Sequence, residues 1–299
     1  MKILVTGDRG FVGNHLVERL RGDGYDVLGF DLPEWDITDP NQVYDFLAEN
    51  RPDQIFHLAA QTCVPDSFLR PDRSLNVNVN GALNLLQALR ALKFKGPLLM
   101  TGTSEEYGYD QLSTRYITED SPCRPVTPYG VGKLAATRLG LTYARRYGLR
   151  VIATRASNHI GPGQRGGVTA EWARQIAEIE QGRREVLLHG DLNVRRSFLD
   201  VSDVVEAYVR AIRLESGVYN VSTTSSVTLG EILEFFVGMA SCPIITRSDP
   251  SLARPTEVKN FAVMSSDPFM RFTNWYPERS IRSTLEDVLN WWRKNLDVS

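Results

Sequence analysis

Cysteine is scarce in this sequence. Its 299 residues include three, Cys63, Cys123 and Cys242, far apart and in no CxxC pattern. That argues against a disulfide scaffold and against a zinc site, so no metal is expected, and it points to a reducing cytoplasm. Charge of one sign is also lacking: 34 basic residues against 36 acidic ones leave a net −2. Such a balance disfavours a nucleic-acid partner and a polybasic membrane contact. No apolar run approaches the roughly 18 residues a membrane helix needs. The opening MKILVTG enters a strand pattern at once, so no signal peptide is expected. Repeats and low-complexity tracts are missing. What remains is an ordinary globular balance, 42% hydrophobic and 23% charged, in a chain long enough for one large domain or two small ones.

Strand and helix patterns alternate through the first half. Lys2–Thr6, Asp26–Phe30, Gln54–Leu58, Pro97–Thr101 and Arg150–Arg155 are short, largely apolar runs. Helical periodicity separates them at Phe11–Arg21, Asn41–Glu49, Leu75–Leu92 and Tyr129–Tyr147. The alternation predicts βαβ units with right-handed crossovers, hence an α/β fold with a doubly wound parallel sheet. After about Asn158 the rhythm loosens. Ile160–Gly167, with four Gly and one Pro, reads as a loop. Helices are expected near Glu171–Gln181, Asp200–Leu214, Leu229–Ala240 and Ser283–Asn295, the last with Leu285, Val288, Leu289 and Trp292 as its apolar face. No flexible linker is visible, so a second domain should pack closely on the first.

The turn after the first strand reads Gly7-Asp8-Arg9-Gly10-Phe11-Val12-Gly13. The first glycine permits a tight turn, the second lets backbone approach a pyrophosphate, and the third lets the helix pack on the strand. A pyrophosphate would rest at the positive N-terminus of that helix. Ordinary turn glycines are the bland alternative, but the required strand, helix and downstream acid are all present. That acid, Asp31, ends the second strand and suits a ribose 2′-hydroxyl. It would repel a 2′-phosphate and so favours NAD(H). Arg9 could neutralise such a phosphate and favours NADP(H), unless it is a solvated turn residue. The balance leans to NAD(H).

Tyr129 and Lys133 stand four residues apart at the start of a helix and so share a face. A phenol is a poor proton exchanger at pH 7, and an ammonium beside it is expected to lower its pKa. The pair could then move a proton to or from a carbinol oxygen during hydride transfer. Thr103 and Ser104 follow the fourth strand, at the sheet edge where open α/β folds bind ligands.

These segments carry a resemblance. Thr6–Gly13 (TGDRGFVG), His57–Gln61 (HLAAQ), Asn78–Leu86 (NVNGALNLL), Thr103–Gly108 (TSEEYG) and Tyr129–Lys133 (YGVGK) are similar to an extended short-chain dehydrogenase/reductase of the nucleotide-sugar branch. The resemblance covers nearly the whole chain. It implies a Rossmann sheet with a smaller α/β substrate-binding domain, divided as 1–161 plus about 200–222, and about 162–199 plus 223–299. It implies catalysis by Thr103, Tyr129 and Lys133. It places Asp36 and Ile37 near the adenine, and Leu58, Ala59 and Ala60 along the cofactor. It also implies a homodimer formed through the Leu75–Leu92 and Tyr129–Tyr147 helices.

The segment Arg155–Gln164 (RASNHIGPGQ) resembles that of GDP-6-deoxy-4-keto-mannose reductases, which implies that Asn158 contacts a nucleotide sugar. His159 reads as a bonded structural residue. Arg196-Ser197-Phe198 matches the family's Arg-Asp-Phe with a serine for the aspartate. Arg254-Pro255-Thr256-Glu257-Val258 matches its Arg-Pro-x-Glu-Val. Arginine forks suit diphosphate oxygens, which assigns Arg196 and Arg254 to the diphosphate and Glu257 to the ribose. The serine removes a charge beside Arg196 and leaves the local geometry open. Glu105 stands where dehydratases carry an extra acid, whereas Glu106 agrees with the reductase form. The reading is therefore an NAD(P)H-dependent reductase of a GDP-4-keto-6-deoxy sugar. A nucleotide-sugar dehydratase or 4-epimerase is the alternative, and a non-catalytic dinucleotide sensor a remote one.

Overall fold

The computed structural model describes residues 1–108, 116–252 and 263–297. Its central sheet is built from β1 (Lys2–Thr6), β2 (Asp26–Phe30), β3 (Gln54–His57), β4 (Pro97–Thr101), β5 (Arg150–Ala156) and β6 (Gly217–Val221). The strands lie in the order β2-β1-β3-β4-β5-β6, and each neighbouring pair is parallel. Successive side chains of a strand point to opposite faces. Ile3, Val5, Phe56 and Leu99 therefore face one hydrophobic core, with Val204, Tyr208 and Phe269. Leu4, Ile55, Leu98 and Val151 face another, with Leu85 and Leu89. Both faces are covered, which is why these strands read as unbroken apolar runs. Strand β6 escaped the sequence reading because Asn220 interrupts its apolar run. That residue is fully buried, accepts from the Tyr107 hydroxyl at 2.7 Å and donates to the Ser265 carbonyl at 3.1 Å.

The strand order reverses across β1, because the chain runs out to β2 and returns past β1 to β3. The crevice at the carboxyl ends of β1 and β3 is the switch point where such sheets bind ligands. The long helix expected at Leu75–Leu92 is instead three pieces: Pro71–Leu75, a π-helical stretch Asn76–Asn80, and Gly81–Ala91. The wider turn carries Asn78 inward. Its amide accepts from the Gln61 N–H at 2.8 Å and donates to the Gln61 carbonyl at 3.0 Å. Two of the motif segments thereby fix each other at the switch point.

The second half has its own smaller α/β core, formed by Ile160, Trp172, Ile176, Phe236, Leu289 and Trp292 among others. The expected helices form as Val168–Glu180, Val201–Ala211, Leu229–Met239 and Ile281–Lys294. Its strands are two to four residues long and form two-stranded ladders. Asn158–Ile160 lies beside Phe198–Asp200, and Arg195–Arg196 beside Val227–Thr228. The loop expected from Ile160 thus starts one residue later, after a short strand.

Candidate active site

The glycine loop is shaped by its own backbone. Gly7 adopts φ +71°, where a side chain is strained. A Cβ there would also stand 2.7 Å from the Ala59 nitrogen. At Gly13 a Cβ would meet the Gly7 carbonyl and lie 2.8 Å from Asp8 Cα. The β1 turn, the helix Phe11–Gly22 and the Leu58–Ala60 turn are therefore pressed together as closely as glycine allows. Thr6 ties them: its hydroxyl receives the Ala59 N–H at 3.2 Å and lies 2.8 Å from His57 Nδ1. Gly10 starts the helix without a side-chain cap, whereas Asp39, Thr127, Asp200, Thr228 and Ser280 cap theirs. The first-turn N–H groups, Phe11 and Val12 among them, are thus offered to an anion. A dinucleotide's pyrophosphate fits this cradle.

Asp31 directly follows β2 and accepts from the Arg9 N–H at 3.2 Å. The Arg9 guanidinium is engaged by Glu34 at 2.7 Å. Asp36 folds back on its own loop and accepts from the Thr38 N–H and hydroxyl, both at 2.8 Å. Ile37 is buried in the core and meets the helix Gly81–Ala91 at Gly81. Both lie beyond the carboxyl end of β2.

At the end of β4, Thr103 caps the single 3₁₀ turn Ser104–Glu106 in a capping box with Glu106. Tyr129 and Lys133 enter on the helix Pro128–Tyr147, both buried and on one face. Thr103 lies close enough to the Tyr129 phenol to act on its acidity. Lys133 Nζ reaches Thr101 Oγ1 at 3.5 Å, and that hydroxyl donates to the His57 carbonyl at 3.2 Å. Burial pushes the Lys133 ammonium down to about 8, against the pull of Glu106. The same burial, helped by Lys133, pushes His57 down to about 3, so that ring is neutral.

The tyrosine differs from expectation. Its pKa is raised, by burial first and then by the charges of Glu105 and Glu106, with Thr103 acting the other way. Burial and the two carboxylates act in the same direction, so the expected lowering is not what sets the resting phenol. Tyr129 therefore carries its proton at neutral pH.

Glu106 anchors this corner and was not singled out as a site residue from sequence. It is fully buried. Its carboxylate accepts from the Thr103 N–H at 3.1 Å, from the Thr137 hydroxyl at 3.2 Å and from Arg155 Nε at 2.7 Å. Arg155 lies 4.6 Å over the Tyr107 ring. A buried carboxylate is tolerated only with such partners. Glu105 accepts from the Thr127 hydroxyl at 3.4 Å and faces the phenol electrostatically.

On the far side, Asn158 donates to the Ser197 carbonyl at 3.0 Å, which sets it beside Arg196. Ser197 is fully buried and donates to the Ser225 carbonyl at 2.9 Å. The serine thus holds the strand without the aspartate's charge. His159 is partly buried, and that burial pushes its ring down to about 4. Arg254 and Glu257 lie outside the described residues.

Residues 3–222 match the model of the NAD dependent epimerase/dehydratase family. The chain belongs to that family. A GDP-6-deoxy-D-mannose reductase of Pseudomonas aeruginosa is 37% identical to this epimerase/dehydratase member, over 99% of this chain and 98% of its own. The structure of RMD from Pseudomonas aeruginosa complexed with NADPH is similar at TM-score 0.88 and 35% identity, covering 98% of this chain and 99% of that one. A Thermus thermophilus UDP-glucose 4-epimerase in complex with NAD is similar at TM-score 0.87 and 29% identity, with 98% and 99% covered. The extended short-chain dehydrogenase/reductase resemblance and the NAD(P)-dependent Rossmann fold are borne out. This family member brings Thr103, Tyr129 and Lys133 to one buried corner beside its glycine cradle. Glu106, Arg155 and Thr101 were missed because their partners are remote in sequence. The adjacent acids at 105 and 106 were the one available signal.

Proposed function

We propose that this protein is an NAD(P)H-dependent reductase of a 4-keto-6-deoxy nucleotide sugar, converting GDP-4-keto-6-deoxy-mannose to GDP-rhamnose or its C4 epimer. The observation that carries it is the buried pair Tyr129 and Lys133 on one helix face, brought beside Thr103 at the end of β4. Reduction of a ketone needs a proton donor at the carbonyl oxygen, and Tyr129 is that donor. A bound reduced nicotinamide supplies the hydride. Thr103 orients the same oxygen, and Glu106 fixes Thr103 through its N–H. Lys133 is the cation available to the phenolate left after transfer. Asn158 and Arg196 hold the sugar nucleotide, with Arg254 on the diphosphate and Glu257 on the ribose.

The 37% identity to a GDP-6-deoxy-D-mannose reductase supports this substrate class. The same reading divides the chain into a dinucleotide domain, 1–161 plus about 200–222, and a sugar-nucleotide domain, about 162–199 plus 223–299. The separate second core supports that division. We further propose a cytoplasmic homodimer. Leu75 and Val131 are exposed on the two helices the resemblance assigns to its interface. Among the described residues no helix is long and apolar enough to cross a membrane.

Glu105 favours the second reading. Its charge acts on the Tyr129 phenol, and a 4,6-dehydratase would need an acid near that phenol for eliminating water. Mass analysis separates the readings. The purified protein is incubated with GDP-mannose, and separately with the 4-keto intermediate plus NADH or NADPH. Gain of two hydrogens by the intermediate is expected. Reaction of GDP-mannose alone, with loss of water, would overturn the reductase in favour of the dehydratase. Dinucleotide binding with no turnover would leave a sensor.

A further inference from the structure

The corner beyond β2 holds more acid than a ribose needs. Arg9, the cation that could receive a 2′-phosphate, is already occupied. Its guanidinium meets Glu34 at 2.7 Å and donates to the Leu32 carbonyl at 3.2 Å. The charged groups acting on it are Glu34, Asp8 and Asp31. Asp8 lies inside the glycine loop itself. Its side chain packs against Gly29, where any Cβ would strike the carboxylate. Its Oδ1 is buried without a hydrogen-bond partner among the described residues. Burial and the charge of Asp31 raise its pKa, as expected of two carboxylates crowded together. One carboxylate thus pairs with the guanidinium and two more act on it, at the corner where the adenosine ribose would lie.

We propose that Asp8 and Glu34 determine cofactor specificity. With Asp31 they keep this corner negative, hold Arg9 away from a 2′-phosphate, and so select NAD(H) over NADP(H). The inference rests on the reading that the glycine loop cradles a dinucleotide. The fold does not decide the matter, since similar structures hold NADPH in one case and NAD in the other. A ribose 2′-hydroxyl can donate to Asp31, whereas a phosphate dianion brings further negative charge against all three acids. The Arg9–Glu34 pair is half exposed, so releasing it should have a small effect, and Asp8, with its Oδ1 buried, a larger one.

Fluorescence titration of NADH and NADPH on the purified protein, without sugar substrate, tests this. Wild type should bind NADH at least about tenfold more tightly than NADPH. Glu34→Gln should tighten NADPH about threefold with NADH unchanged. Asp8→Asn should narrow the preference further, by about three- to tenfold. Adding Arg9→Ala to Glu34→Gln should cancel the gain, which shows that Glu34 acts through Arg9. NADPH binding as tight as NADH in wild type, or a preference unmoved by both single variants, would overturn the proposal alone. Binding of neither dinucleotide would remove the cradle reading and this inference with it.

Discussion

At the glycine loop the fit is made by backbone. Gly7 and Gly13 leave no room for a Cβ, and what they touch is the main chain of Ala59, Gly7 and Asp8. At the end of β4 the fit is made by side chains. Tyr129, Lys133, Glu106 and Arg155 are all buried, with Glu106 bonded to Arg155 and its charge acting on Lys133 and Tyr129. The first construction uses shape and few charges. The second uses ionisable groups in a site that excludes water, where each is stabilised only by its partners. A cofactor cradle can therefore tolerate exposed charges at its rim, as at Arg9 and Glu34, while the proton-transfer corner cannot lose one partner.

Three substitutions would break that contrast most directly. Tyr129→Phe removes the proton donor and leaves the cradle alone. Turnover of the keto sugar should fall about a hundred- to ten-thousand-fold while dinucleotide affinity is kept, as read by steady-state kinetics beside a fluorescence titration. Loss of both together would mean that the two regions are not separable. Glu106→Gln leaves Arg155 buried beside a neutral amide. Removing one partner of such a pair costs about 3–5 kcal/mol, which denaturant unfolding should register. Gly13→Ala presses a methyl into the Gly7 carbonyl. An overpacked contact of this kind costs about 1–3 kcal/mol, and dinucleotide affinity should weaken about tenfold with the phenol's chemistry intact. Unchanged binding there would show that the loop has slack.

The same contrast explains what was legible in the sequence. Gly7, Gly10 and Gly13 announce the cradle because each answers a local backbone requirement within seven residues. Tyr129 and Lys133 are legible because helix geometry alone puts them on one face. Glu106 and Arg155 are 49 residues apart, and nothing in the spacing pairs them. Gln61 and Asn78 sit in quoted motifs, yet their bond depends on a π turn that periodicity reads as plain helix. Strand β6 was hidden by Asn220, a polar residue whose partners, Tyr107 and Ser265, come from elsewhere in the chain. In the second half the ladders are too short to show an alternation.

The smallest expected effect concerns Lys133, and it sharpens the comparison rather than breaking it. Burial holds this ammonium at about 8 in the cofactor-free protein. Only its charged form can stabilise the phenolate that proton donation leaves behind. The kcat/KM for the dinucleotide, which reports the free protein, should therefore be flat below pH 8 and fall about tenfold per unit above it. His57 and His159, pushed down to about 3 and about 4, are already neutral and add no limb between pH 5 and 8. Lys133→Arg carries a charge that does not titrate in this range, so its profile should lose the alkaline limb. Its plateau should also be lower, because a planar fork does not fill the place of an ammonium. If the limb persisted in that variant, some other group would set it. The view that burial tunes the proton-transfer corner would then fail, while the backbone contacts of Gly7 and Gly13 would stand.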